Sequence, residues 1–558
     1  MTAARLRRLL PDVLALTAIM AVALAFVGTS SLFSSDEGAA LAQANVLDAT
    51  GGWLVAHPFP EIDPDGRWFA FYRPDGGPAQ FAPYAKHPSY PLLLQPLVAA
   101  GGMGGALVAS VLGTVIAAVA AAWLAGSLRQ GAERAALWIV GLGSPLFFDA
   151  GLVMAHSLGA AGCGLAACAF VGYRRSPRPV VLALGLAATV AAILVRSEAL
   201  FFGLAAGAVL AGWGLRRRAW REVAAGAAVA VASVVTLLVE RRWVASIIDG
   251  SLVVPTAGLA RGDLVAGRIS GALWTFVSTT GRGSGLVAGA ALLAMLAAVV
   301  AGFAMRARPP SRVAAVGASV VVAVAAVVAA VAPEPDAISG LLATCPFLVV
   351  GLLLLRRSDL TDPTSGFLLA VSALVALAVV ATQYDIGGAA EWGGRFMAIV
   401  LPLLLAVAVP VVLRRTTAVG PAIGRPVLAC LVVATAALSV LSMRTLATFH
   451  DRSASLADAW RLAVEAESAD GGGPPVVVTT SPALGRLTWD AVGDARQLLV
   501  EPAEVPAAVE ALDGLGVDRL VLVLDGPATG EELPTGWTVV ASGPIGPWGG
   551  QVLVVEAD

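Results

Sequence analysis

Two adjacent carboxylates lie just beyond the first long apolar run of the chain. Asp36 and Glu37 follow the run 11–31 within a few residues. A carboxylate can accept a proton as a general base, and burial and neighbouring charges set its pKa. Acidic side chains at the edge of an apolar layer are costly unless they are solvated or used. The pair therefore either solvates the end of a helix or takes part in chemistry.

A small group of cationic and histidine side chains could bind negative charge. Lys86 is the only lysine of the chain, because all the other Lys/Arg positions are arginine. Lysine supplies a compact point charge and arginine a planar fork, and both suit phosphate. Arg196 and Arg395 lie at the ends of predicted helices, where an arginine that only reaches towards water is the alternative. His87 and His156 could contact phosphate or sugar, or bind a divalent metal, although no spacing supports a metal site.

The composition places these side chains at the edge of a membrane. Of the 558 residues, 58% are apolar and 13% are charged, and the mean hydropathy is +0.82. A soluble globular protein has about 45–50% apolar and about 25% charged residues, so the bulk of this chain belongs in lipid. The formal net charge is −2, which leaves no basic excess for a nucleic-acid partner.

Apolar runs predict about thirteen transmembrane helices, each long enough to cross about 30 Å of hydrocarbon. The predicted spans are 11–31, 105–126, 134–151, 157–172, 180–195, 199–215, 223–239, 284–304, 313–332, 340–355, 365–381, 397–413 and 426–443. Every second loop between them is short and rich in arginine, as in YRRSPR (173–178). By the positive-inside rule these loops face the cytoplasm, and the N-terminus lies inside with them. All the candidate residues then lie on the outer side of the cell membrane.

The chain divides by composition into three parts. Residues 1–443 form the transmembrane domain, which includes a large first outside loop, 32–104. Residues 444–475 are typical of an amphipathic helix followed by a linker. Residues 476–558 alternate short β runs with a helical stretch, which predicts a small extracytoplasmic α/β domain. The predicted fold class is therefore a mostly α, polytopic membrane protein with this domain at its C-terminus.

Short motifs recur at the outer ends of the predicted helices. Asp36-Glu37 follows the first helix, and Lys86 begins the pattern Lys-x-Pro-x-Tyr-Pro-Leu before the second. VRSEAL (195–200) forms an Arg-x-Glu turn between two helices, and WGGRFMAIVLPLL (392–404) leads into a late helix.

In order and placement these motifs resemble the GT-C glycosyltransferases, within them the branch of the protein O-mannosyltransferases and lipid A aminoarabinose transferases. The resemblance covers most of residues 1–443. Two positions depart from that branch. In MAHSLGAA (154–161) His156 replaces the acid of a short outside turn, and Ala85 precedes the lysine where the aminoarabinose transferases tend to carry Glu.

The resemblance implies that a sugar moves from a polyprenyl-phosphate-linked donor to an acceptor hydroxyl on the outer face. It implies Asp36 as the general base, with Glu37 as the fallback. Because the leaving group is a lipid phosphate, cations are needed where negative charge develops. The residues implied in substrate binding are Lys86, His87, His156, Arg196, Glu198 and Arg395. No cofactor is implied, and the acceptor could be a lipid, a glycan or a protein.

Two other functions remain open from the sequence. A polytopic transporter or lipid flippase is the main alternative, but the halves show no clear repeat and the polar residues gather at helix ends rather than at the midplane. A non-catalytic scaffold that presents the C-terminal domain is the second, and it predicts that Asp36, Lys86 and Arg395 are freely replaceable. Glu198 has a structural alternative of its own, an ion pair that fixes Arg196.

Overall fold

The computed structural model contains a helical bundle and a small C-terminal domain. It describes residues 3–29, 31–68, 80–84, 86–248, 261–277, 279–280, 285–307, 309–333, 335–382, 392–468, 474–487, 495–526, 533–545 and 550–558.

The long helices of the described residues all begin before residue 422, and several short helices lie between them. In chain order they are α1 (Ala3–Val27), α2 (Ser35–Thr50), α3 (Ser89–Leu128), α4 (Glu133–Gly141), α5 (Leu146–Asp149), α6 (His156–Arg175), α7 (Pro179–Val195), α8 (Ala199–Arg217), α9 (Trp220–Ile248), α10 (Arg261–Phe276), α11 (Gly285–Arg306), α12 (Pro309–Val331), α13 (Leu341–Thr344), α14 (Pro346–Leu353), α15 (Arg357–Thr361), α16 (Pro363–Thr382), α17 (Leu401–Ala418), α18 (Pro421–Ser468), α19 (Pro482–Leu487) and α20 (Val505–Asp513).

Ten helices of the described residues are long and apolar enough to cross a membrane. They lie within α1, α3, α6, α8, α9, α11, α12, α16, α18 and the segment Arg395–Ala418, and each overlaps a predicted span. Apolar side chains such as Leu238, Leu296 and Val324 are more than half exposed on their helices, at 52%, 57% and 57%, as lipid-facing residues are. The chain is therefore a multi-pass membrane protein, and the predicted mostly α fold class is confirmed.

The three remaining predicted spans differ in form. The span 180–195 corresponds to α7, a shorter apolar helix. The span 134–151 is divided between α4 and α5, and the span 340–355 between α13 and α14. Both breaks occur at a proline, Pro145 or Pro346, whose ring removes an N–H that a continuous helix would need.

Helix α3 combines two helices across a kink. Gly101 and Gly102 have non-helical backbone angles, and Gly102 has φ 56° and ψ −143°, a conformation that favours glycine. The residues before the kink, which include the run PLLLQPLV (91–98), form a short helix. After the kink, α3 packs closely on the start of α6, because a Cβ on Gly113 would lie 2.7 Å from the backbone nitrogen of Leu158.

Helix α2 is enclosed by protein, whereas the modest apolar face of residues 38–47, taken alone, predicts a helix that lies along the membrane surface. Its residues from Glu37 to Ala44 are all buried. This stretch is buried on all sides because the bundle covers one side of α2 and the C-terminal domain covers the other. Its own sequence has only a modest apolar face, so its burial depends on packing partners far along the chain.

The C-terminal domain is built on a five-stranded sheet. Its strands are β5 (Val476–Thr479), β6 (Arg496–Leu499), β7 (Arg519–Leu524), β8 (Trp537–Ile545) and β9 (Gly550–Ala557), in the order β6-β5-β7-β9-β8. Strand β5 is parallel to both its neighbours, whereas β9 is antiparallel to β7 and β8. Helix α18 is continuous over 48 residues, so the predicted amphipathic stretch extends the last membrane helix directly. Of the predicted linker DGGGPP (470–475), residues 470–473 lie outside the described residues.

Four short strands tie loops together at the end of the bundle that faces the C-terminal domain. In chain order they are β1 (Val55–Ala56), β2 (Gln80–Phe81), β3 (Thr279–Thr280) and β4 (Ile338–Ser339). The antiparallel pair β1–β2 closes the loop before α3, and the antiparallel pair β3–β4 connects the start of α11 to α13.

Candidate active site

A polar pocket of about 220 Å³ lies where the bundle meets the C-terminal domain. Its described lining residues are Asp36, Tyr84, Lys86, His87, Tyr90, Val153, Met154, Ala155, Arg196, Ser197, Glu198, Arg395 and Phe396. Six of the eight residues singled out in the sequence therefore converge here, from four separate segments. The other two, Glu37 and His156, are each adjacent in sequence to a lining residue.

The centre of the pocket is an ion pair between Lys86 and Asp36. The Nζ atom of Lys86 lies 3.1 Å from Oδ1 and 3.2 Å from Oδ2 of Asp36. The two side chains stay partly accessible, at 39% and 27%. Burial raises the pKa of Asp36, but the charges of Lys86, Arg395 and Arg486 outweigh it, and the net shift is downward. Asp36 is therefore ionised at neutral pH.

Glu37 fixes the backbone that presents Asp36. Its Oε2 accepts hydrogen bonds from the backbone N–H groups of Phe33 at 3.0 Å and Ser34 at 2.8 Å, and its Oε1 accepts one from Val153 at 2.7 Å. This is a capping box at the start of α2, where negative charge also suits the helix dipole. The Glu37 carboxylate is fully buried, and its bonds are to backbone at the rim of the pocket.

The loop that carries Lys86 is held from two directions. Gln43 of α2 accepts a hydrogen bond from the N–H of Tyr84 at 3.1 Å and donates one to the carbonyl of Trp53 at 3.0 Å. His87 forms a buried contact of 2.6 Å between its Nδ1 and Oε1 of Glu240 in α9. This second contact fixes the imidazole ring, whose remaining nitrogen is the group it can offer to the pocket.

Arg196 and Glu198 form an ion pair in the turn between α7 and α8. Nε of Arg196 lies 2.9 Å from Oε2 of Glu198, and each side chain is 12% exposed. Burial raises the pKa of Glu198, whereas Arg196, His87 and Arg395 lower it by more, so the carboxylate is charged. The pair places the guanidinium of Arg196 in the pocket wall, and Glu198 restricts the conformations that this side chain can adopt.

Two consecutive glycines place Arg395. Gly393 and Gly394 have φ values of 75° and 68°. A Cβ on Gly393 would lie 2.0 Å from Cγ of Pro145, and one on Gly394 would lie 2.2 Å from the carbonyl oxygen of Thr275. The chain can pass between these neighbours only as glycine, and Arg395 then opens a 3-10 turn, Arg395–Val400, before α17.

The two arginines of the pocket share one aromatic ring. The guanidinium carbon of Arg395 lies 4.9 Å from the centroid of Phe396, and that of Arg196 lies 5.9 Å from it. Cation–π contacts of this kind orient guanidinium groups without using all their N–H donors. Phe396 therefore gathers two positive charges on one side of the pocket.

His156 is the first residue of α6 and is fully buried. It lies within electrostatic range of Arg196, Arg395 and His87. One turn later, a Cβ on Gly159 would lie 3.2 Å from Cβ of Arg196, so the start of α6 packs directly on that arginine. His156 thus lies directly behind the pocket wall.

Some pocket residues were not found from the sequence. Tyr84, Tyr90 and Phe396 carry no charge, so their side chains were not singled out, although Tyr90 and Phe396 lie within the quoted motifs. The sequence could have identified Glu240, because it is a lone acid at the end of the apolar run of α9. Glu391, which its place in the sequence makes a candidate partner for Arg395, lies outside the described residues.

The charge of the site suits an anion more than a metal. Among the residues that the structure describes, no group of three or more His, Cys, Asp or Glu side chains could hold a metal ion. Three cations, Lys86, Arg196 and Arg395, face the same 220 Å³ space. Such a set binds phosphate well, and Asp36 is the carboxylate beside it.

A second pocket of about 470 Å³ lies along α10 and is almost entirely apolar. Arg268 is its one charged residue among the described residues that line it. The charged side chains that could take part in chemistry line the smaller pocket instead.

The fold has a counterpart among solved structures. ArnT from Cupriavidus metallidurans in the apo state resembles this chain with a TM-score of 0.54 and 14% sequence identity, over 98% of each chain. The archaeal oligosaccharyltransferase AglB from Archaeoglobus fulgidus, in complex with an inhibitory peptide and a dolichol-phosphate, has a TM-score of 0.43 and 13% identity, over 92% of this chain and 69% of AglB. No family model and no curated protein matches the chain. The fold resemblance to ArnT extends over nearly the whole chain and confirms the resemblance stated from the motifs.

Proposed function

We propose that the protein is an integral membrane glycosyltransferase that moves a sugar from a polyprenyl-phosphate-linked donor to an acceptor hydroxyl. The observation that carries the proposal is the convergence of one ionised carboxylate, Asp36, with Lys86, Arg196 and Arg395 in a single pocket. The fold similarity to ArnT supports the same function.

In the proposed reaction, Asp36 acts as the base and the three cations act on the leaving phosphate. Asp36 accepts the proton of the acceptor hydroxyl while the hydroxyl oxygen forms a bond to the anomeric carbon. The bond between that carbon and the phosphate oxygen breaks, and its electron pair leaves on the phosphate. Lys86, Arg196 and Arg395 stabilise the developing negative charge, so no separate acid is needed for the leaving group.

The remaining pocket residues hold these groups in place. Glu198 orients Arg196 through their 2.9 Å contact, and Glu37 fixes the first turn of α2. His87, fixed by Glu240, is a further donor for the phosphate or the sugar. His156 backs the pocket, and Gly159, one turn further along α6, packs on Arg196.

We place the pocket on the outer face of the cytoplasmic membrane. Arg395 opens the segment Arg395–Ala418, and Arg414 and Arg415 lie at its far end, where both pair with Asp359. Arginine-rich loops face the cytoplasm by the positive-inside rule, which supports an outward-facing pocket and an extracytoplasmic C-terminal domain.

The test is product formation by the purified protein in lipid nanodiscs. The probes are synthetic polyprenyl-phosphate hexoses and pentoses, and the measured product is free polyprenyl phosphate. We expect release from at least one donor, faster with an acceptor extract of membrane lipids and glycans. Transport of these donors across proteoliposomes without any cleavage would contradict the proposal and favour a flippase.

A further inference from the structure

Helix α19 of the C-terminal domain touches the helix that carries Asp36. Gly38, two residues after Asp36, lies so close to α19 that an added Cβ would be 1.8 Å from the carbonyl oxygen of Arg486 and 3.1 Å from Cδ1 of Leu32. A contact at this distance is between two backbones, and it admits no side chain at position 38. The position of α19 therefore constrains the first turn of α2.

The contact is part of a continuous apolar interface. Leu487, the residue after Arg486, is buried in one cluster with Ala39 and Leu41 of α2 and with Val521 and Val554 of the sheet. The cluster continues into the bundle through the start of α3. An apolar core shared in this way holds two parts of a protein in one fixed arrangement, unlike a domain on a flexible linker.

Arg486 adds charge to this contact. Three cations act on the Asp36 carboxylate, and each comes from a different part of the chain. Lys86 precedes α3, Arg395 precedes α17, and Arg486 belongs to α19. All three lower the pKa of Asp36 against the burial that raises it. The other charged groups of the pocket are Arg196, Glu198 and His87.

We infer that the C-terminal domain, packed on α2 through α19, holds the Asp36 base of the transferase site in position, and that Arg486 is a positioning residue for this base. Arg486 acts on Asp36 by charge and by the close seating of α19 on Gly38, without a role of its own in bond breaking. The inference rests on the proposed function only in naming Asp36 as the base. It makes the C-terminal domain a working part of the site.

The first test needs no substrate. Infrared difference spectra of the wild-type protein minus Asp36→Asn give the pH at which the Asp36 carboxylate is protonated. We expect Arg486→Gln to move this midpoint upward by about 0.3–1 pH unit, because one stabilising cation is lost. In Arg486→Lys, which keeps the positive charge, the midpoint should lie close to the wild-type value. The matched control is Arg496→Gln, which removes an arginine of the same domain that lies over Phe59, 5.1 Å from its ring centroid.

The second test is the pH profile of donor cleavage. With Arg486→Gln the acidic limb should move upward by the same amount, so that the rate on that limb falls about 2- to 10-fold while the plateau at higher pH is retained. If Arg486 had a purely structural role, Arg486→Gln would lower the plateau of the pH–rate profile and leave its acidic limb in place.

The outcomes distinguish the inference about Arg486 from the proposed role of Asp36 as the base. An unchanged infrared midpoint in a folded Arg486→Gln protein overturns the inference, whether or not the protein cleaves donor. Full activity of Asp36→Asn overturns the base assignment instead, and leaves the contact between α19 and Gly38 without a catalytic consequence.

Discussion

The ammonium of Lys86 lies almost equidistant from the two carboxylate oxygens of Asp36, at 3.1 Å and 3.2 Å. This symmetric contact joins the base and the nearest cation of the pocket. It keeps Asp36 ionised before substrate binds, and it places Lys86 beside the position where the donor phosphate is expected. Lys86 thus both keeps the base ionised and stabilises the leaving group.

Replacement of Lys86 should therefore impair both functions. We expect Lys86→Gln to lower kcat/KM for the donor about 10²–10³-fold, the size of loss seen when one stabilising donor is removed from a site of developing charge. Lys86→Arg should recover only part of the activity, because a planar fork does not reproduce a point charge between two oxygens. A Lys86→Gln protein with wild-type kcat/KM would contradict this role.

The pH dependence of the reaction should follow Asp36. Since the pKa of Asp36 is lowered by its cationic neighbours, the active carboxylate form persists above that pKa and is lost only as the pH falls through it. We expect a rate that is level around neutral pH and falls only in strong acid. In Lys86→Gln the fall should begin at higher pH. If the acidic limb of the pH–rate profile stays in place in Lys86→Gln, that limb reports the titration of a group other than Asp36.

Gly394 should be required for the placement of Arg395. Gly394→Ala would force a Cβ to within 2.2 Å of the Thr275 carbonyl oxygen at a φ of 68°. We expect a loss of at least tenfold in activity and a strain of about 1–3 kcal/mol in stability. Gly289→Ala in α11 is the control, because a Cβ there has no neighbour within 4 Å. Donor turnover and thermal unfolding of both variants measure the difference.

Glu240 should act through His87. Glu240→Gln keeps the shape of the side chain but removes the charge that holds the imidazole at 2.6 Å. We expect KM for the donor to rise about tenfold, which corresponds to one charge-assisted hydrogen bond, with a smaller change in kcat. Glu222→Gln, at the opposite end of α9, is the matched control. If both variants raise KM equally, the effect comes from α9 as a whole and not from His87.

The sequence predicts the pocket well where its residues stand at helix ends. Asp36, Lys86, Arg196 and Arg395 are charges that interrupt apolar surroundings, and the alternation of arginine-rich loops assigns all four to one end of the bundle. Their convergence could be expected from topology alone. Their distances could not, since those depend on the packing of α2, α3, α7 and α17.

Other features of the site follow only from long-range packing. Arg486 lies 450 positions after Asp36, and nothing near it in sequence indicates a partner. Glu240 pairs with a histidine 153 positions earlier. The burial of α2 was also unexpected, because the residues that cover it belong to the C-terminal domain. In each case two segments that lie far apart in the sequence come into contact only in the folded protein, so neither segment alone indicates the contact.

The most direct test of the transferase proposal is the activity of Asp36→Asn beside that of Asp48→Asn. Both residues belong to α2, but Asp48 is exposed near the far end of the helix. We predict that Asp36→Asn lowers the release of polyprenyl phosphate by about 10²–10⁴-fold, the usual contribution of a general base, while Asp48→Asn retains wild-type release. Release by Asp36→Asn at the wild-type rate, from a correctly folded protein, would contradict the assignment of Asp36 as the base.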